Sequence, residues 1–252
     1  GYLNVDAGTL NPYRHGEVFV LTDGTECDMD LGNYERFLDV NFTKNNYLTG
    51  GKIFASVLEK ERAGKYLGRD VQFIPHVTGE IKGFIRNLSV ESGADIILIE
   101  VGGTIGDLEN GYFVEAMRQL AYEEGDSNVL FVNVTYVPKP SSLAEQKSKP
   151  AQIGVRELMS AGIQPHLIVC RSSEPITDKI RDKISVYSNV PPKQVVGIPD
   201  LDTIYDVPML LKKEGIDETA LEVLKLKSKK HDAKLFGEWA EFVHNLKGAK
   251  KQ

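Results

Sequence analysis

Cysteine is scarce in this chain of 252 residues: there are two, Cys27 and Cys170. Two cysteines give no disulfide framework, and a reducing interior is the expected setting. Long apolar runs are missing as well. The run Ile96 to Ile99 is only a strand's worth, against the roughly 20 residues that a membrane span needs, and no secretory leader is read in the sequence. Neither sign of charge dominates: 30 Lys and Arg stand against 36 Asp and Glu, a net charge of −6. That balance argues against a general nucleic-acid binder and leaves room for a local basic pocket. His15, His76, His166, His231 and His244 show no metal-ligand spacing. There is no G-x-S-x-G elbow, which disfavours a triad hydrolase. A Gly-x4-Gly-Lys phosphate loop is missing too. The Gly-Lys pairs are Gly51-Lys52 and Gly64-Lys65, and the places for the first glycine hold Asn46 and Glu59.

What is present is an ordinary globular balance, 41% hydrophobic and 26% charged, too apolar for a disordered chain. The chain opens on Gly1 without an initiator Met and closes on the basic tail Lys247 to Gln252, so a piece of a longer protein is expected, with tag removal as the other reading. Apolar runs of strand length alternate with helical periodicity. Strands are expected at Val18–Leu21, Val71–Ile74, Ala94–Glu100, Val129–Val137, Leu167–Cys170 and Val195–Ile198. Helices are expected around Ile81–Leu88, over Asn110–Glu124, Pro150–Ala161 and Ile176–Ser188, and from Thr203 to about His244. The four consecutive aliphatics Ile96 to Ile99 predict a strand buried on both faces, as in a parallel sheet. This alternation predicts an α/β fold with a doubly wound, mostly parallel sheet flanked by helices. Ligands of such sheets sit beyond the carboxyl ends of the strands. The irregular stretch from Tyr136 to Pro150 has the length at which connections carry function.

Three segments at those ends could carry chemistry. The acidic loop Asp23 to Asp30 enters a helix, and Asp28 or Asp30 could simply cap it. Glu100, at the end of the predicted buried strand, needs a partner there. Beside the acidic loop it would make a Mg²⁺ site of few hard oxygen ligands, completed by phosphate and water. The glycine-rich Gly102 to Glu109 lets backbone approach a ligand, with Asp107 and Glu109 placed either as favourable charges at a helix start or as acceptors for ribose hydroxyls or an exocyclic amine. Lys147-Ser148-Lys149-Pro150 puts two lysines against the positive end of a helix dipole, which suits a bound anion better than bare surface.

Together these motifs resemble the CTP synthase family in its amidoligase domain. The resemblance is carried by Asn4 to Thr9, His15 to Val20, Asp28 to Phe37, Ile74 to Thr78, Glu100 to Asp107, Lys147 to Pro150 and Gly162 to Pro165, in order from Gly1 to about Trp239. It implies a P-loop, dethiobiotin-synthetase-like fold whose first βα unit would lie upstream of Gly1, on the order of 30–40 residues. It also implies one amidoligase domain over 1–252, with 227–252 starting a linker toward a glutaminase domain. The implied reaction is phosphorylation of the uracil 4-oxygen of UTP by ATP and displacement by ammonia to give CTP. By position, Asp30 and Glu100 match Mg²⁺ ligands, and Asp30, Pro199, Asp200 and Leu201 match the ATP site. Lys147, Ser148, Lys149, Pro150, Ala151, Gln152 and Lys183 match residues that hold UTP or inhibitory CTP, and Asp107, Leu108 and Glu109 match the CTP inhibitor site. His15 and His76 fall in family motifs and are given no step. A cytoplasmic homotetramer, with no nucleic acid or membrane partner, is the implied assembly. Asn110-Gly111-Tyr112 replaces a more apolar stretch of the family. The competing readings are another ligase such as dethiobiotin synthetase, disfavoured by Lys147 to Pro150, and a UTP- or CTP-binding or assembly module without turnover.

Overall fold

The computed structural model describes residues 2–142, 145–227 and 232–249. They form two compact units, Gly1–Leu120 and Ala121–Gln252. Among the described residues no helix is long and apolar enough to cross a membrane.

The first unit contains a hairpin of β1 (Val18–Val20) and β2 (Glu26–Asp28), antiparallel with Phe19 opposite Cys27. Its turn closes with Gly24 at φ 84°, a backbone region that glycine enters without a Cβ clash. Asp23 ties the turn down by accepting from the Thr25 and Lys44 amides. Under the hairpin, Leu21, Cys27, Leu31 and Tyr47 form a buried cluster flanked by Phe19, Tyr34 and Phe42. Helix α1 (Asp30–Leu38) leaves the hairpin, and α2 (Gly50–Arg62) starts under a Thr49 cap whose Oγ1 accepts from the Lys52 amide at 3.2 Å. Helix α3 (Thr78–Ser92) buries Ile81, with Phe84, Ile85 and Leu88 half-buried along the expected stripe. Helix α4 (Gly111–Glu124) closes the unit and buries Val114, Ala116, Met117 and Leu120.

Two expected strands do not form. Val71–Ile74 gives way to a wide helical turn over Phe73–Val77 that leads into α3. The segment Ala94–Glu100 is irregular, with Ile96 47%, Leu98 78% and Ile99 43% exposed. A strand needs a neighbour to take its alternate backbone groups, and the only ladder among the described residues of this unit is β1–β2. Four aliphatics in a row record the capacity for double-sided burial and say nothing of the partner.

The second unit meets the expectation of a parallel α/β sheet flanked by helices. Strands β3 (Val132–Tyr136), β4 (Leu167–Ser172) and β5 (Val195–Pro199) lie side by side and parallel, with Val134 opposite Val169 and Val169 opposite Val196. The central strand is sealed by α5 (Lys149–Ser160) and α6 (Asp178–Ser188) through Val137, Ala151, Val155, Ile168, Cys170, Ile180 and Ile184. Edge strand β3 alternates, burying Asn133 and exposing Val132, Val134 and Tyr136. The end of the unit is helical, as expected: α7 (Val207–Lys213), α8 (Ile216–Val223) and α9 (Asp232–Gly248). Trp239 donates to the Tyr205 carbonyl at 2.9 Å. Of the stretch 227–252 read as a linker, 228–231 and 250–252 lie outside the described residues.

His166 should make the stability of this unit pH-dependent. Its Nδ1 accepts from the Phe131 amide at 3.0 Å, and burial lowers its pKa. A histidine depressed in the folded state stabilises fully above its unfolded pKa of about 6.5 and loses that contribution as pH falls through the folded value. The melting temperature of the wild type is therefore expected to drop between about pH 7 and pH 5 more steeply than that of His166→Asn, whose amide oxygen can accept without titrating. Parallel pH profiles would refute the assignment.

Candidate functional site

In the first unit, carboxylates gather where β2 passes into α1. Asp28 ends β2 and Asp30 opens α1; neither caps the helix, because the cap position is Met29 and no side chain bonds there. Both carboxylates are thus free of the structural duty that a loop of this composition usually has. Glu100 lies within electrostatic reach of them. Burial, then Asp30, then Asp28 raise its pKa above the ordinary carboxylate value. The Tyr34 hydroxyl shares the field: burial, then Glu100, Asp30 and Asp28 push it up to about 12. Glu100 does not end a buried strand, as expected from the sequence; it sits in the irregular segment, partly desolvated.

Asp28 is held by a relay of two phenols. The Tyr2 hydroxyl donates to its Oδ1 at 3.0 Å, and the Tyr47 hydroxyl donates in turn to the Tyr2 oxygen. Burial above all pushes the Tyr2 hydroxyl up to about 12. A neutral hydroxyl, itself supported by a second, therefore fixes the carboxylate without discharging it. Among the described residues no group of three or more His, Cys, Asp or Glu is arranged to hold a metal ion. The carboxylates expected as ligands are two, Asp30 and Glu100, in mutual repulsion. That fits Mg²⁺, which takes one or two protein carboxylates and completes its shell with water and phosphate.

Asp107, Leu108 and Glu109 also belong to this unit, exposed on the loop between Glu100 and α4. His15 stands edge-on to Tyr2, and His76 Nδ1 accepts from the Gln72 amide at 3.0 Å; both are accounted for by packing.

In the second unit, the carboxyl ends of the strands carry the remaining candidates. The connection after β3 runs to α5, and residues 143 and 144 within it lie outside the described residues. Gln146 pins its far end: the buried amide donates to the carbonyls of Glu174 and Pro175 and accepts from the Thr177 amide. Lys147 is thereby fixed at the start of α5, its own amide donating to the Pro138 carbonyl at 2.9 Å. No side chain caps α5, and Pro150 occupies its first turn. Lys149 and Lys183 are exposed; Ser148, Ala151 and Gln152 are buried, with Gln152 Nε2 donating to Ser148 Oγ at 2.9 Å. Their side chains thus build the helix start, and the two lysines face solvent.

Glu145 occupies the middle of these cations. It pairs with Lys147 at 2.5 Å and Lys179 at 3.9 Å. Lys147 first, then Lys179 and Lys183, hold its carboxyl below the usual range. A carboxylate thus stands among three lysines beside an uncapped helix start, a setting in which negative charge is favourable. At the end of β5, Pro199 is the last strand residue and Asp200 and Leu201 follow it. The Arg171 guanidinium ties this corner by donating to the carbonyls of Ile198 and Pro199 and to Asp200 Oδ1, at 3.1–3.2 Å. Sequence reasoning missed Tyr2, Tyr47, Glu145, Gln146 and Arg171. For Glu145 alone there was a signal, an acidic residue two places before the first lysine.

Comparison with known proteins agrees with the family resemblance. The family described as CTP synthase N-terminus matches residues 1–226. The CTP synthase of Pyrococcus horikoshii is 51% identical over 250 residues, 99% of this chain and 46% of that protein. Those of Methanopyrus kandleri and Saccharolobus solfataricus are each 49% identical, over 98% of this chain and 46% of their own length. The chain spans about half the length of these relatives. With the match running through both units, the chain belongs to the CTP synthase N-terminus family.

Proposed function

We propose that this chain is the amidoligase part of a CTP synthase. It would bind ATP and UTP and support amination of the uracil ring, with CTP as a competing inhibitor. The ammonia would come from a glutaminase domain, and a cytoplasmic homotetramer would be the working assembly. The observation that carries the reading is the Lys147, Lys179 and Lys183 cluster around Glu145 at the start of α5, in a chain of this family. Such a cluster takes a polyphosphate in place of the carboxylate.

The residues divide the work as follows. Lys147, Lys149 and Lys183, with the first amides of α5, hold the triphosphate of UTP or CTP. Pro199, Asp200 and Leu201 lie along the adenine of ATP. Asp107, Leu108 and Glu109 contact CTP. Asp30 and Glu100 would hold Mg²⁺, which when bound neutralises the phosphate charge that builds up in phosphoryl transfer. The phosphoryl group moves from ATP to the uracil 4-oxygen; ammonia then attacks C4 and phosphate leaves. Water at C4 would return UTP, so closure against solvent is part of the requirement.

Calorimetric titration tests this reading on the chain itself. UTP and CTP should bind with mutual competition, and the diamino-acid precursors of dethiobiotin should not displace them. Mn²⁺ followed by electron paramagnetic resonance should bind the wild type, and roughly tenfold or more weakly after Asp30→Asn or Glu100→Gln, each removing one of two charged ligands. Displacement of UTP by the dethiobiotin precursors, or Mn²⁺ binding indifferent to both substitutions, would overturn it.

A further inference from the structure

The loop between Glu100 and α4 is mostly exposed, with Val101 and Ile105 half-buried, and it rests on one fully buried side chain. Asn110 is 3% exposed. Its Nδ2 donates to the Gly102 carbonyl at 3.3 Å and to the Thr104 carbonyl at 2.9 Å. Asn110 stands at the start of α4, where its backbone carbonyl accepts from the Val114 amide at 3.0 Å. An asparagine there ordinarily turns its side-chain oxygen onto the free amides of the first helical turn. Here Oδ1 is buried and accepts nothing, while the amine is turned back into the loop. Leaving a buried acceptor unpaired is costly, so the orientation is set by the two carbonyls.

The Thr104 carbonyl opens a closed turn, and the Gly102 carbonyl lies just before it. The Asp107 amide donates to the Thr104 carbonyl at 3.1 Å, and the Thr104 amide donates back to Asp107 Oδ2 at 3.3 Å. Gly103, just before the turn, and Gly106, within it, are both at φ 97° and make its bends. Asp107, Leu108 and Glu109 therefore hang from a turn whose one buried tether is the Asn110 amide, and Leu108 is 90% exposed.

We propose that Asn110 is a positioning residue for nucleotide recognition: its amide latches the Gly102–Thr104 backbone to the start of α4 and so pre-orders Asp107 to Glu109 for the cytosine nucleotide. The inference rests on the proposed role of Asp107 to Glu109. Pre-ordering lowers the entropy lost when a loop closes on its ligand, and the gain falls on the nucleotide that the loop contacts. CTP binding therefore depends on Asn110 more than UTP binding does.

The test pairs amide hydrogen exchange with calorimetry on the chain. In the wild type without nucleotide, the Thr104 and Asp107 amides should exchange much more slowly than exposed loop amides. Asn110→Asp keeps size and shape but sets a carboxylate oxygen against the two carbonyls. It should release that protection and weaken CTP roughly tenfold, the size of one lost polar contact, with UTP changed less than twofold. Unprotected amides in the wild type would overturn the latch without recourse to any variant, which keeps the test decisive even if Asn110→Asp does not fold. Equal losses for UTP and CTP, or none for CTP, would overturn its role in recognition. A wild type that binds no CTP while its loop is protected would instead sink the nucleotide reading of Asp107 to Glu109, and with it the recognition role.

Discussion

Supplied with ATP, UTP, ammonium and Mg²⁺, the 252-residue chain is expected to form CTP at less than about a hundredth of the rate of a longer chain in which a Gly-x4-Gly-Lys segment precedes Gly1. The ground is a sequence fact: the motif occurs nowhere between Gly1 and Gln252. A phosphate loop supplies several backbone N–H groups to the ATP phosphates, and its lysine neutralises charge as the γ-phosphoryl group departs. Removing a single preorganised donor of this kind typically costs about 10²–10³ in rate. Asp30 and Glu100 cannot replace those donors, since they carry the same sign as the phosphates and help only through a cation. Binding is a separate matter, because Lys147, Lys149 and Lys183 are all in the chain. The decisive sample has an intact mass matching these residues and is assayed for CTP beside the longer chain. Equal turnover would show the phosphate loop to be dispensable and would require another ATP phosphate site. Nucleotide binding without turnover would agree with the reading of the chain as a binding module.

How far the fold was legible depended on whether each strand's partner could be read from the same stretch of chain. Leu167–Cys170 and Val195–Ile198 were expected as strands and pair with each other, extended by one or two residues to Ser172 and Pro199. Val71–Ile74 and Ala94–Glu100 have equal or stronger apolar signals and form none. Hydrophobic pattern reports what a segment could bury; the ladder is a property of two segments, and one sequence shows only each half. The α5 and α6 helices needed no such partner for their backbone groups, and their expected and observed limits agree within two residues.

Charged candidates were legible for a related reason. A carboxylate or lysine in an awkward place announces itself through its cost, so Glu100 and Lys147 could be picked out singly. The supporting side chains could not. Tyr2, Tyr47, Gln146 and Asn110 are ordinary polar residues at no special spacing. Their roles arise only when folding turns a phenol or an amide toward a particular oxygen, as Tyr2 toward Asp28 at 3.0 Å. Glu100 was singled out on a premise that the fold does not meet: the buried strand is not formed, and what marks the residue is desolvation of its carboxyl together with the field of Asp30 and Asp28.

Opposite substitutions at the start of α5 should move nucleotide affinity in opposite directions. Lys149→Ala is expected to weaken UTP and CTP together by roughly tenfold or more and to leave ATP unchanged, since a charge-assisted contact contributes about 1.5–3 kcal/mol. Lys149 is exposed at the first turn of an uncapped helix, so the substitution removes no core packing and the melting temperature should hold. Glu145→Gln should do the reverse. Its carboxylate now pairs with Lys147 and stands near Lys179, and an incoming triphosphate has to displace it. Exposed pairs of this kind contribute at most about 1 kcal/mol, so the gain should not exceed roughly fivefold, and it should shrink as salt screens the lysines. The two effects have one cause, competition of anions for a fixed set of cations. A calorimetric series with UTP, CTP and ATP against both variants decides it. If Glu145→Gln weakens UTP, Glu145 holds the lysines in place for the nucleotide instead of competing with it. If Lys149→Ala leaves UTP unchanged, Lys149 is a solvated surface charge and the triphosphate lies elsewhere.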